Sequence, residues 1–255
     1  MRRHRILLTG ITVLLSGTLL FSSAMIWKEL SGRQKEKEEF SALAELVEAP
    51  EANPPVTSET PPAEADEPDE AAELRDLAPL FAQNGDCIGW LSISGTQINY
   101  PVMHTPEEPQ KYLRRSFYGE YSQSGVPFLD WRCSLDSDNL IIYGHNMKNG
   151  TMFGELKNYL DEEFRLAHPV MEFQTADGVE QYTVFAVATV QKTDAWYSFI
   201  DASGSEDFTE QTAAIMQKSL CDTGAAPVSG RQMITLSTCY GSSKDGRLLV
   251  IGVKQ

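Results

Sequence analysis

Met233-Ile-Thr-Leu-Ser-Thr-Cys239 runs into the loop Tyr240-Gly-Ser-Ser-Lys-Asp-Gly246 and returns as Arg247-Leu-Leu-Val-Ile-Gly-Val253. The alternation of a β-strand sends Ile234, Leu236 and Thr238 to one face and Thr235, Ser237 and Cys239 to the other. The loop is built from turn-forming residues, so the two runs read as a hairpin that carries Arg247 back towards Cys239. Further upstream, residues 139–143 (Asn-Leu-Ile-Ile-Tyr) read as a strand, and Gly144 permits a sharp exit into His145. A thiol, an imidazole and a fixed cation at the ends of neighbouring strands are the parts needed to break an acyl bond through a thioester. The thiolate is favoured by a nearby positive charge, and the developing oxyanion needs a donor already in place.

Outward from these strands, further short runs at 87–93, 98–103, 126–129, 170–175 and 181–191 carry strand patterning. With 139–143, 233–239 and 247–253 they make eight, which predicts a mainly β fold and a closed or nearly closed eight-stranded barrel. Helical periodicity predicts a helix over 71–84, with Leu74, Leu77, Leu80 and Phe81 as its apolar stripe, and a helical piece at 152–159. A longer helix at 205–220 lies just before the Cys strand, with Phe208, Ala213, Ile215 and Met216 facing inward. The chain has no internal repeat.

The N-terminal part reads differently. Arg2, Arg3 and Arg5 precede the uncharged run 6–27, which as a helix would extend about 33 Å, enough for a hydrocarbon core of about 30 Å. It is expected to be a single transmembrane helix within a segment 1–27, with a cleaved secretory signal as the alternative because Ser22-Ser-Ala24 offers small residues. Residues 28–73 are expected to hold a juxtamembrane helix, with Phe40, Leu43 and Val47 at helical spacing, and then a disordered spacer. Between residues 49 and 73 there are six prolines and eight acidic residues and no Lys or Arg, too little apolar surface to fold. The folded domain is expected over 74–255.

Composition limits the function. The formal net charge of -15 disfavours a nucleic-acid partner, although much of it belongs to the spacer. Four cysteines allow two disulfides in principle; if Cys239 stays reduced, at most one remains, and no obligatory disulfide is expected. No Cys or His pair has zinc-type spacing, so neither a metal nor another cofactor is expected. Cys87, Cys133 and Cys221 read as inert thiols, and His4, His104 and His168 as structural or exposed.

The order and spacing of six strings resemble the sortases, and more narrowly their class B: Gly89-Trp-Leu-Ser-Ile93, Ile98-Asn-Tyr-Pro-Val102, Gly125-Val-Pro-Phe-Leu-Asp130, Ile141-Ile-Tyr-Gly-His-Asn-Met147, Met152-Phe-Gly-Glu-Leu156 and Thr235-Leu-Ser-Thr-Cys239. The resemblance covers roughly residues 74–255. It implies a sortase-type barrel with a helical insertion before the Cys strand, and a cysteine transpeptidase with Cys239, His145 and Arg247 as catalytic residues. Tyr143, Ser237 and Thr238 are expected to line the substrate groove. The resemblance further implies cleavage of a C-terminal sorting signal after threonine, with class B signals generally beginning Asn-Pro. Transfer then goes to an amine of peptidoglycan or of its lipid-linked precursor. It places the catalytic domain outside a membrane-anchored stalk. A secreted cysteine peptidase, a pilin-polymerising sortase and a non-catalytic envelope-binding barrel are the alternatives.

Overall fold

A computed structural model describes residues 2–48 and 74–255, with side chains from residue 15 onward, so the expected spacer at 49–73 lies outside the described residues. The chain divides into two compact units, Met1–Leu43 and Ala44–Gln255.

In the first unit the chain is helical. Helix α1 spans Arg2–Val47, so the expected second helix after residue 28 is a continuation of the first. Among the described residues no helix is long and apolar enough to cross a membrane. That finding overturns the expected single-pass cell-membrane location, with its transmembrane helix at 6–27 and the extracellular catalytic domain that the resemblance implied, and it gives no support to a membrane partner.

In the second unit eight strands close into a barrel. They are β1 Cys87–Ser92, β2 Asn99–Met103, β3 Phe128–Leu129, β4 Asn139–Tyr143, β5 Val170–Thr175, β6 Gly178–Gln191, β7 Met233–Cys239 and β8 Gly246–Lys254, hydrogen-bonded in the order β1-β2-β3-β4-β7-β8-β6-β5. The mainly β barrel expected from the patterning is therefore the observed architecture. Most neighbours pair antiparallel, but β2 with β3 and β4 with β7 are parallel. The β4–β7 pair sits deep in the fold: Leu140, Ile141, Ile142, Ile234 and Leu236 are all buried, as a parallel pair covered on both faces requires. Helix α2 is shorter than expected, Ala78–Gln83, because Pro79 fits only a first helical turn. Leu77 and Leu80 are buried as the stripe predicted, whereas Leu74 lies outside the helix and is exposed.

The expected helical piece near 152 is a 3-10 helix, Gly154–Leu160, followed by α3 Glu162–Ala167, which is capped by Asp161. Helix α4, Ser205–Lys218, is the insertion before the Cys strand. It buries Phe208, Thr212 and Ile215, one stripe at helical spacing, and leaves Ala213 and Met216 on its exposed side, contrary to expectation. Thr212 is tolerated in that stripe because its hydroxyl donates to the Phe208 carbonyl at 2.7 Å, so no polar atom is stranded.

Gly144 is required where β4 ends: a Cβ there would stand 2.6 Å from the ring of Phe153, which is fully buried and has no room to withdraw. Gly144→Ala is expected to destabilise the fold by about 1–3 kcal/mol, read as a thermal midpoint roughly 3–10 °C lower. An unchanged midpoint would show that the Phe153 ring yields.

Candidate active site

The site is assembled by strand register. β7 and β8 are antiparallel with Cys239 opposite Arg247, the last pair of the ladder, so both side chains leave the same face. On its other edge β7 runs parallel to β4, with Tyr143 level with Ser237. The pairing continues past the strand ends: Gly144 N–H donates to the Ser237 carbonyl at 3.1 Å, and Thr238 Oγ1 donates to the Gly144 carbonyl at 2.7 Å. His145 therefore follows Tyr143 by the same two residues that separate Cys239 from Ser237. The loop bearing it is tied directly to the Cys strand, because Asn146 Nδ2 donates to the Cys239 carbonyl at 2.8 Å.

Further bonds fix His145. Its carbonyl accepts from Phe153 N–H at 2.9 Å, and its ring Nε2 lies 2.9 Å from the Leu113 carbonyl. A carbonyl can only accept, so in the neutral ring Nε2 carries the proton and Nδ1 is left with the lone pair. Burial lowers the pKa of His145 below the ordinary imidazole value; the Leu113 carbonyl opposes this and the nearby Arg114 charge adds to it. The resting imidazole at neutral pH is uncharged. Arg247 is oriented by its own turn, Nη1 donating to the carbonyls of Gly246 at 2.8 Å and Lys244 at 3.1 Å.

Cys239, His145 and Arg247 line one cleft of about 580 Å³, together with Tyr143, Ser237 and Thr238. Cys239 is exposed to it, whereas Cys87 and Cys133 are buried, and burial pushes each of those thiols up to about 11. Cys221 is half-buried and lies outside the cleft lining. The three groove candidates differ in what they offer. Ser237 is buried and shares a 2.7 Å hydrogen bond with the Tyr197 hydroxyl. Thr238 is buried on the opposite face of β7 with its hydroxyl committed to Gly144, a strand tie in the first instance. Tyr143 lines the cleft, stacked on Tyr197 at 6.2 Å and donating to Asp130 at 2.7 Å.

Cys239 is exposed for a local reason. Thr235 and Ser237, on the same face, are roofed by a 3-10 helix, Ala195–Ser198: Trp196 Nε1 donates to Thr235 Oγ1 at 3.1 Å, and Tyr197 covers Ser237. The roof ends there, and the next position on that face is the sulfur. Sequence reading singled out none of Asn146, Asp130, Arg132, Trp196 or Tyr197 as a site residue, although the insertion that begins at Trp196 was expected to build part of the groove. Asn146 and Asp130 lie inside two of the strings that carry the family resemblance, which is the only signal that would have raised them; Trp196 and Tyr197 reach β7 from about 40 residues away, a contact no local pattern encodes.

A sortase-domain family model matches residues 91–255. Sortase B of Listeria monocytogenes is 37% identical over 187 residues, which are 71% of this chain and 73% of that protein. Among solved structures, sortase B from B. anthracis in complex with AAEK1 superposes with a TM-score of 0.71 at 29% identity, covering 88% of this chain and 98% of the other. A Staphylococcus aureus sortase B–substrate complex gives 0.65 at 29% identity, covering 69% and 83%. A closed barrel presenting a strand-end cysteine beside an arginine and a histidine, with these likenesses, places the chain in the sortase family. Within that family it is a class B member, a cysteine transpeptidase.

The lowered pKa of His145 makes a stability prediction. Unfolded His145 takes up a proton as the pH falls through about 6.5, whereas the folded imidazole resists protonation until lower pH, so folding stability is lost across that window. His104, whose pKa burial also lowers, adds to the same loss. His145→Gln is expected to make the fall in thermal midpoint between about pH 7 and 5 shallower without abolishing it. Parallel profiles for the two proteins would refute the assignment.

Proposed function

We propose that this enzyme cleaves a sorting-signal peptide after threonine through a thioester on Cys239 and passes the acyl group to a cell-wall amine. The observation that carries the reading is the ladder-end pair Cys239–Arg247 at the mouth of a cleft that also holds His145. In the first half-reaction the sulfur of Cys239 bonds to the carbonyl carbon following threonine. Arg247 donates to the oxygen as negative charge gathers on it. The C–N bond then breaks, and the departing amine takes a proton from His145 Nδ1. In the second half-reaction an amine attacks the thioester, a new C–N bond forms, the C–S bond breaks, and the amine's proton passes to His145 and from it to the departing sulfur.

The proton that His145 delivers to the leaving amine is the one given up by the sulfur of Cys239 as its bond to carbon forms. Transfer in place of hydrolysis requires that an amine outcompete water at the thioester. That the S. aureus relative forms a complex with its substrate supports reading the cleft as a substrate site. The peptide class, beginning Asn-Pro, and the donor, an amine of peptidoglycan or of its lipid-linked precursor, follow from the class B resemblance.

Incubation with an equimolar Asn-Pro-Xaa-Thr-Xaa peptide mixture is expected to yield a covalent adduct on Cys239 by mass spectrometry. Added hydroxylamine is expected to divert the product from free acid to hydroxamate. Cys239→Ala should abolish the adduct, and Arg247→Ala should lower turnover by about 10²–10³-fold. An adduct on any other cysteine, or free acid alone at saturating hydroxylamine, would defeat the reading.

A further inference from the structure

One cluster in the cleft takes no part in the bond-making steps. Asp130 has only 4% of its surface exposed, yet its carboxylate is fully engaged. Oδ1 accepts from Arg132 Nε at 2.9 Å and from the Arg132 backbone N–H at 3.0 Å, and Oδ2 accepts from Arg132 Nη2 at 2.7 Å and from the Tyr143 hydroxyl at 2.7 Å. The same Arg132 Nη2 donates to the Tyr197 carbonyl at 2.7 Å, 65 residues along the chain. The two tyrosines so held are the stacked pair that forms one side of the cleft, with Phe128 packed against Tyr143 at 5.5 Å. Tyr197 is pinned a second time through its hydroxyl on Ser237, two residues before Cys239.

From this connectivity we propose that Arg132 is a positioning residue for substrate binding: with Asp130 it clamps Tyr143 of the barrel to the Tyr197 segment of the insertion, and so fixes the aromatic wall against which the peptide lies. The inference rests on the reading of the cleft as a peptide groove. Three features of the clamp fit that role. The guanidinium forks onto the carboxylate through two parallel N–H groups, a geometry an ammonium cannot reproduce. The clamp joins two elements that strand pairing does not join, the turn after β3 and the helix after β6, so their spacing depends on side chains. Its two ends contact the wall and leave the reacting trio alone: Cys239, His145 and Arg247 are held by backbone pairing and by Asn146, Phe153 and Leu113. Loosening the clamp therefore alters how well the cleft receives a peptide, and leaves the chemistry of a bound peptide in place.

The test compares Arg132→Lys with the unaltered protein on the same Asn-Pro-Xaa-Thr-Xaa mixture. Apparent KM is expected to rise about 10-fold while kcat stays within about threefold. The fraction of Cys239 alkylated by iodoacetamide, which reports folded and accessible enzyme, is expected to be unchanged. Tyr143→Phe, which keeps the ring and the Asp130–Arg132 pair and removes only the hydroxyl, is expected to raise KM by about threefold. It decides the matter if the lysine variant folds poorly. Binding of the mixture to the Cys239→Ala protein, with and without Arg132→Lys, is measured in parallel so that the result does not depend on turnover. Weaker binding in the double variant supports the clamp even if the parent protein transfers nothing, an outcome that would sink only the proposed reaction. A KM that does not move in either variant, a loss confined to kcat, or no binding to Cys239→Ala at all overturns the clamp.

Discussion

Ser237 lies between two ladders, level with Tyr143 of β4 on one side and Leu249 of β8 on the other, and the site depends on that double pairing. A strand bonded on both edges cannot slide by one residue without turning every side chain to the wrong face. Since Cys239, His145 and Arg247 all stand just beyond or at the end of this three-strand unit, their relative placement is set by main-chain hydrogen bonds. Parallel pairing of β4 with β7 matters particularly. It makes the two chains exit at the same end of the barrel, so that the imidazole and the sulfur arrive together although they come from distant parts of the sequence.

The microenvironments then divide the roles. Two thiols of the same chain, Cys87 and Cys133, are sealed inside the barrel, where burial holds the proton on sulfur. Cys239 is exposed instead, because the Trp196–Tyr197 roof stops one alternate position short of it. His145 is the reverse case: partial burial disfavours its charged form, and the Leu113 carbonyl selects the tautomer. An imidazole so placed is a proton acceptor at rest and becomes a donor only after it has taken a proton, which suits the role proposed for it.

Much of the barrel was legible in the sequence, for a physical reason. Strands such as 139–143, 170–175 and 233–239 are short, β-branched and bounded by turn residues, and their observed limits coincide with those expected. The hairpin bringing Arg247 to Cys239 was legible for the same reason, being a local feature. Errors arose where the deciding interaction was distant or was a single residue. Pro79 shortens α2 and leaves Leu74 in solvent. In α4 a self-satisfied threonine displaced Ala213 and Met216 from the buried stripe. For the N-terminal run, no helix among the described residues is long and apolar enough to cross a membrane. The clamp of Asp130 and Arg132 was illegible because one partner, the Tyr197 carbonyl, is a backbone atom that any residue would supply.

Backbone pairing and side-chain clamping make different demands on sequence. The trio proposed to react sits at ladder ends whose geometry survives most substitutions that preserve strand patterning, because the hydrogen bonds come from the main chain. The aromatic wall depends instead on four side-chain groups meeting in one place, and a change at any of them alters its shape without disturbing the ladder. If the cleft is the peptide groove proposed, it can acquire new preferences through residues such as Arg132, Tyr143 and Tyr197 while the sulfur, imidazole and guanidinium keep their positions. The insertion that carries Tyr197 lies between β6 and β7, outside the barrel's own pairing. Its length and composition are thus free to vary at little cost to the core, and recognition is placed on the part of the fold best able to change.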